Sequence, residues 1–239
     1  MEMKAPILIL CLLFSLDLLA QSEKIRINYA DATFAVGSSQ GSFSASFGRD
    51  WRMGKAQKFG LGIGGRFTTY LGQNQYYETA PASITSGSTG PGIFFQDNIP
   101  ANVDTLLVSS PQVNALNVYI NLSYQISKRI IVGFNIDAIG FSFGGSKTGN
   151  YINGATGAVT SATPTTFNLL LVSDNDLGSL NSELYLKYEW KERWSIKGGI
   201  QFLFTEYTTS TKVQTYPEPN DRFRNKSLMG EVGISYRLN

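Results

Sequence analysis

The sequence predicts an all-β protein, a closed antiparallel up-and-down transmembrane β-barrel of eight strands with short turns at one end and long loops at the other. Three observations carry this expectation. Apolar and polar residues alternate with a period of two through eight stretches, which gives each stretch one greasy and one polar face. The connections between them alternate between short and long. The composition is poor in charge, 16% against about 25% in ordinary globular domains, yet rich in aromatics (13%) and in glycine (24 residues).

The clearest stretch is Ala115–Ile139. Leu116, Val118, Ile120, Leu122, Tyr124 and Ile126 alternate with Asn117, Tyr119, Asn121, Ser123 and Gln125. After the Ser127-Lys128-Arg129 turn, Ile130, Val132, Phe134, Ile136 and Ala138 share one face, opposite Asn135 and Asp137. This reads as a tight hairpin and supplies strands four and five. The first strand, 26–37, is the least regular. In the second, 42–52, Phe43, Ala45, Phe47 and Trp51 oppose Ser42, Ser44, Ser46 and Asp50. In the third, 58–71, Phe59, Leu61, Ile63 and Phe67 oppose Gly60, Gly62, Gly64 and Arg66. The sixth, 180–190, sets Leu184, Leu186, Tyr188 and Trp190 against Glu183, Tyr185, Lys187 and Glu189. The seventh, 194–207, sets Ile196, Ile200 and Phe202 against Lys197 and Gln201. The eighth, 227–238, sets Leu228, Val232, Ile234 and Tyr236 against Glu231, Ser235 and Arg237.

Short turns fall at 53–58, 127–129 and 191–193, and long segments at 72–114, 145–179 and 208–226. An even strand count puts both termini at the short-turn end. Seven of the eight prolines lie in the long segments and the eighth is Pro6, so no proline interrupts one of the eight proposed strands, as a continuous ladder requires. All three tryptophans, Trp51, Trp190 and Trp194, lie at short-turn strand ends, level with Tyr124 and Tyr236. Together they form half of an aromatic girdle at a membrane surface.

Residues 1–20 read as a secretory signal peptide, with Lys4, the apolar run Ile7–Leu16 and Ala20 before Gln21. The remaining residues, 21–239, read as the barrel domain. The apolar run is shorter than the roughly 20 residues a spanning helix needs. Its removal takes out Lys4, Glu2 and Asp17, so the net charge of +2 becomes +3, too weak a balance for nucleic acid. Cys11, the one cysteine, leaves with it.

The chain has no histidine, which excludes Ser-His and Asp-His hydrolytic centres and the usual zinc sites. No catalytic residue, cofactor or metal is expected. Gly60-Leu-Gly62-Ile-Gly64-Gly65 lacks the Lys-Ser/Thr of a phosphate loop and sits in an alternating strand. The clusters Asp174-Asn175-Asp176 and Asn220-Asp221 are each too small to hold a hard cation alone.

If the greasy faces meet lipid, the charged groups point inward. They are Arg66, Lys187, Lys197 and Arg237 against Asp137, Glu183, Glu189 and Glu231, four of each sign. Buried charges must be paired, so the interior is expected to be an ionic plug. Asn117, Asn121, Asn135, Asn181 and Gln201 would complete its hydrogen bonds, and the glycines at 60, 62 and 64 would leave room for it. In the long segment 73–114, Tyr76, Tyr77, Phe94 and Phe95 form either a recognition surface for an unknown partner or a packed extension. Val103–Val108 and Phe167–Val172 have the β-propensity for the latter.

With these features the chain, from residue 26 to the C-terminus, resembles the small eight-stranded outer-membrane barrels of Gram-negative bacteria, of the outer-membrane protein A and X type. Gly230–Asn239 is similar to their terminal strand, although it ends in Leu238-Asn239 where an aromatic residue is common. The resemblance implies a non-enzymatic protein of the cell outer membrane, in contact with outer-membrane lipid. It also implies short periplasmic turns, long extracellular loops and insertion by the barrel-assembly machinery. Its role would be structural, or surface interaction through the loops. Two other readings stay open: a narrow channel or transport component, and a soluble secreted barrel holding an apolar ligand, which needs the opposite facing.

Overall fold

The structure, a computed structural model, describes residues 25–88, 96–152, 158–171 and 175–239. The expected signal segment lies outside them. The fold is one antiparallel sheet of thirteen strands, not eight. They are β1 (Arg26–Gly37), β2 (Gln40–Met53), β3 (Phe59–Gly72), β4 (Gln75–Thr79), β5 (Thr105–Val108), β6 (Gln112–Gln125), β7 (Ile130–Phe143), β8 (Lys147–Tyr151), β9 (Val159–Pro164), β10 (Phe167–Leu169), β11 (Leu180–Glu189), β12 (Trp194–Thr209) and β13 (Arg222–Arg237). All eight stretches read from alternation fall on strands. The five further strands, β4, β5, β8, β9 and β10, lie in the long segments; β5 and β10 fall within Val103–Val108 and Phe167–Val172, where the β-propensity pointed to an extension.

The sheet closes on itself. Pairing runs β13–β1–β2–β3–β6–β7–β11–β12 and returns to β13. Along this lower ring the greasy faces point out: Leu61, Leu122, Leu184, Ile200 and Ile234 are 40–54% exposed. The partners between them point in, and Arg66, Asn121, Asp137, Glu183 and Lys197 are all buried.

One irregularity preserves this facing. The β6–β7 register shifts between Val118 and Tyr119, so Val118 pairs with Ile139 and Tyr119 with Asp137. Ala138 is left over as a bulge. Strict alternation from Ile136 would turn Ile139, Phe141 and Phe143 inward. With the bulge all three are exposed while Asp137 stays inside.

A second, smaller circuit of pairing sits at the long-loop end. β12 and β13, the two 16-residue strands, run on past β11 and β1. There β13 pairs with β4, β4 with β5, β5 with β8, β8 with β9, and β9 with β12. This upper ring has ordinary polarity. Inside lie Tyr77, Leu106, Val108, Tyr151, Leu203, Tyr207, Phe223 and Met229, all buried in one cluster. Tyr77 meets Tyr207 edge-on at 5.2 Å, and its hydroxyl lies 3.1 Å from the Thr205 hydroxyl. Outside lie Glu78, Thr148, Ser161 and Thr163. Each large side chain removed from water here contributes about 1.5–3 kcal/mol. A one-turn helix, Ala82–Thr85, and a 3-10 turn, Pro100–Asn102, pack on its flank, joined by the Asn102 amide donating to the Ile84 carbonyl at 2.9 Å.

Candidate functional site

The interior of the lower ring gathers charged side chains from seven of its eight strands, and β6 adds Asn117 and Asn121. Arg66 projects from β3 and is 2% exposed. Its Nη2 lies 2.5 Å from Asp137 Oδ1 on β7, and its Nη1 donates to Asn135 Oδ1 at 2.8 Å and reaches Glu183 Oε2 on β11 at 3.1 Å. Asp137 also accepts from the Asn117 amide at 2.7 Å and the Asn181 backbone N–H at 2.9 Å. Glu183 in turn holds Lys197 of β12 at 2.5 Å, and Lys197 lies 3.6 Å from Glu231 of β13. A chain of alternating charge, Asp137–Arg66–Glu183–Lys197–Glu231, thus ties five strands together. Leaving any member unpaired in so buried a place costs several kcal/mol.

Nearer the short turns, Lys187 lies 2.9 Å from Asp31 and donates to Ser235 at 3.1 Å. Its ammonium stands 4.3 Å from the centre of the Tyr29 ring, a cation–π contact that partly replaces lost hydration. Asp50 accepts from both Asn121 and Tyr29, at 3.0 and 3.3 Å, and Asn121 accepts from the Tyr185 hydroxyl at 2.7 Å. Gly62 makes this possible, because a Cβ there would collide with the Asp50 carboxylate. Gly64 does the same for the Tyr119 ring. The glycines therefore admit short acids and tyrosines as well as long arms.

Of the eight expected network members, six meet in the interior: Arg66, Asp137, Glu183, Lys187, Lys197 and Glu231. Glu189 and Arg237 do not join them. They pair with each other at the short-turn mouth, with side chains 18% and 35% exposed. Asp31, Asp50 and Arg52 were missed although all are buried. Asp50 and Arg52 share the inward parity of Ser42 and Ser44, a usable signal; Asp31 sits among Ala and Thr in β1, where alternation is faint. Among the described residues, the lower ring buries five acids, Asp31, Asp50, Asp137, Glu183 and Glu231, and four bases, Arg52, Arg66, Lys187 and Lys197, in place of the expected four against four.

A second ionic group, not foreseen, holds the junction of the two rings. Glu206 of β12 lies 2.8 Å from both Arg222 and Arg224 of β13. It occupies an outward position, yet it is fully buried. Nearby, Asp176 takes the Leu171 N–H at 2.6 Å, a local turn contact.

The aromatic positions divide. Trp51, Tyr124, Trp190, Trp194 and Tyr236 all stand at the short-turn end, with the Trp194 and Tyr236 rings in tilted contact at 4.7 Å. Tyr76 and Tyr77 are neighbours on β4 and so face opposite ways: Tyr76 is 57% exposed and Tyr77 fully buried. Tyr77 is therefore a core residue and not part of a recognition surface. Phe94 and Phe95 lie outside the described residues. The apolar-ligand reading requires Leu and Phe inside the lower ring, and the observed facing is the reverse.

No family model matches the chain, and no curated protein matches it. Among solved structures it is similar to Neisserial surface protein A, with a TM-score of 0.39 at 10% identity over 89% of this chain and 97% of that one. It is also similar to the Pseudomonas putida toluene transporter TodX, with a TM-score of 0.24 at 9% identity over 90% of this chain and 89% of that one. A Pseudomonas aeruginosa FadL homologue gives 0.20 at 10% identity over 90% of each chain. These likenesses are distant, and the chain's own geometry carries the assignment of its architecture.

Proposed function

We propose that the protein is a non-enzymatic integral barrel of the outer membrane, built like the eight-stranded outer-membrane protein A and X type. β1, β2, β3, β6, β7, β11, β12 and β13 cross the lipid, the short turns face the periplasm, and the upper ring stands outside the cell. The observation that carries this reading is the inverted facing of the lower ring, apolar outward and charged inward. In water that arrangement exposes a continuous greasy belt and buries ions. In a bilayer it is the stable one, because a closed sheet satisfies its backbone hydrogen bonds without solvent. Strands of 10–16 residues meet the roughly 9–11 residues a tilted strand needs.

The interior supports a closed structure more than a pore. The salt-linked tier fills the middle, and the apolar cluster of the upper ring stoppers the outer end. The role that fits is structural, or contact with a surface partner through the exposed rim of the cap, where Tyr76 stands. Residues 1–20 would direct export, and Gly230–Asn239 would present the closing strand to the barrel-assembly machinery.

Mobility of unheated against boiled protein on a detergent gel tests the barrel. A faster unheated band and resistance to carbonate extraction are expected; a carbonate-soluble protein with one band contradicts it. In planar bilayers the account expects no stable openings, and steady single-channel steps would favour the transport reading.

A further inference from the structure

The two ends of the molecule differ in surface charge. Lys55 and Lys58 stand in the β2–β3 turn, Lys128 and Arg129 in the β6–β7 turn, and Lys191 and Arg193 in the β11–β12 turn, all exposed. Glu192 is the one acid among the described residues of these turns. At the opposite end, exposed Glu78, Asp97 and Glu218 stand against Lys212 and Lys226. The basic end is also where every tryptophan lies. Lys191 holds its ammonium 4.8 Å over the Trp190 ring. Arg49 points out of the wall two residues from Trp51, its Nε donating to Asn28 Oδ1 at 2.7 Å. Cations and indoles thus share one rim.

We propose that this rim binds the phosphates of anionic phospholipid headgroups in the leaflet it faces. The inference rests on the membrane reading above and names the lipid chemistry. A ring of Lys and Arg at a bilayer surface attracts anionic lipid through short-range, salt-screened forces. Indoles settle at the same depth, their rings among the glycerol groups. Guanidinium and ammonium groups then reach the phosphate oxygens from beside the rings. The long, flexible arms snorkel to that level, and the turns leave them unobstructed.

The tryptophans report on this directly. The mature chain is reconstituted in phosphatidylcholine vesicles with a minority of brominated phosphatidylglycerol, or with the same fraction of brominated phosphatidylcholine. Brominated phosphatidylglycerol is expected to quench the emission more strongly, with a relative association on the order of threefold higher. Molar salt abolishes the difference, as does the combined variant Lys55→Gln, Lys128→Gln, Arg129→Gln and Lys191→Gln. Should that variant fail to fold, the salt titration of the unaltered chain decides. Equal quenching by the two lipids at low salt overturns the proposal and leaves the barrel intact. A preference that persists in high salt, or in the folded variant, overturns it too. Quenching by neither lipid overturns both the proposal and the membrane reading.

Discussion

The lower and upper rings share β12 and β13 yet are built on opposite rules. Below, Ile200 and Leu228 face out and Lys197 and Glu231 face in. Above, on the same strands, Tyr207 and Phe223 face in among other apolar side chains, and the outward Glu206 and Arg224 are covered and paired. The backbone alternates identically in both, so on the proposed membrane reading what changes is the solvent. Where lipid surrounds the wall, apolar groups are best placed outside and the polar remainder must satisfy itself within. Where water surrounds it, the hydrophobic effect fills the inside. On the membrane reading proposed above, the switch of polarity along two continuous strands would mark the outer surface of the membrane.

The sharpest way to break the comparison is to remove a charge from below. Arg66→Met leaves Asp137 and Glu183 buried beside an apolar side chain and is expected to cost about 3–5 kcal/mol. It would show as loss of the unheated fast band at lower denaturant. Lys187→Met together with Asp31→Leu removes both members of a pair and is expected to cost far less. Equal losses would mean that the pairing is not what the interior depends on.

An outward cation should discriminate between the rings. Ile200→Arg places a charge in the belt and is expected to cost about 2–4 kcal/mol. Thr163→Arg, on the outer face of the upper ring, should stay within about 0.5 kcal/mol. Denaturant titrations in detergent or vesicles compare them. Between these two falls Gly62→Ala, whose methyl meets the Asp50 carboxylate. Overpacking there should cost about 1–3 kcal/mol and weaken the Asn121–Asp50 contact.

The alternation of Ala115–Ile139 made the hairpin and the inward Asp137 legible, and the same period in β3, β11 and β12 did so for Arg66, Glu183 and Lys197, because a sheet with two distinct surroundings writes its facing into every second residue. Three features were not legible for physical reasons. The bulge at Ala138 exchanges parity at a small residue that fits either face. Asp31 lies between the outward Ala30 and Ala32, too weakly apolar to show a period. The upper ring is built from strands such as Val159–Pro164, whose five or six residues alternate small and polar groups. Its core comes from residues far apart in sequence, Tyr77, Leu106, Tyr151 and Phe223, and no local pattern joins them.

The smallest expected effect is on the upper ring alone. Burial pushes the phenols of Tyr77 and Tyr151 above the ordinary tyrosine range, and the nearby Asp104 carboxylate raises Tyr151 further. A raised phenol favours the folded state while protonated. This contribution is complete below about pH 10 and is lost as the pH rises beyond it. Protease sensitivity between residues 145 and 165 should therefore appear in alkali before the lower ring loses its detergent resistance. Simultaneous loss would mean that the rings open as one unit.

The polarity switch can be read directly with single spin labels, since the expected mature chain has no cysteine of its own. Labels placed in turn at 122, 200 and 234, and at 148 and 163, are compared in vesicles for collision with oxygen and with a water-soluble nickel complex. The account predicts oxygen-dominated relaxation at the first three positions and nickel-dominated relaxation at the last two. Nickel-dominated relaxation at 122 and 200 would contradict it.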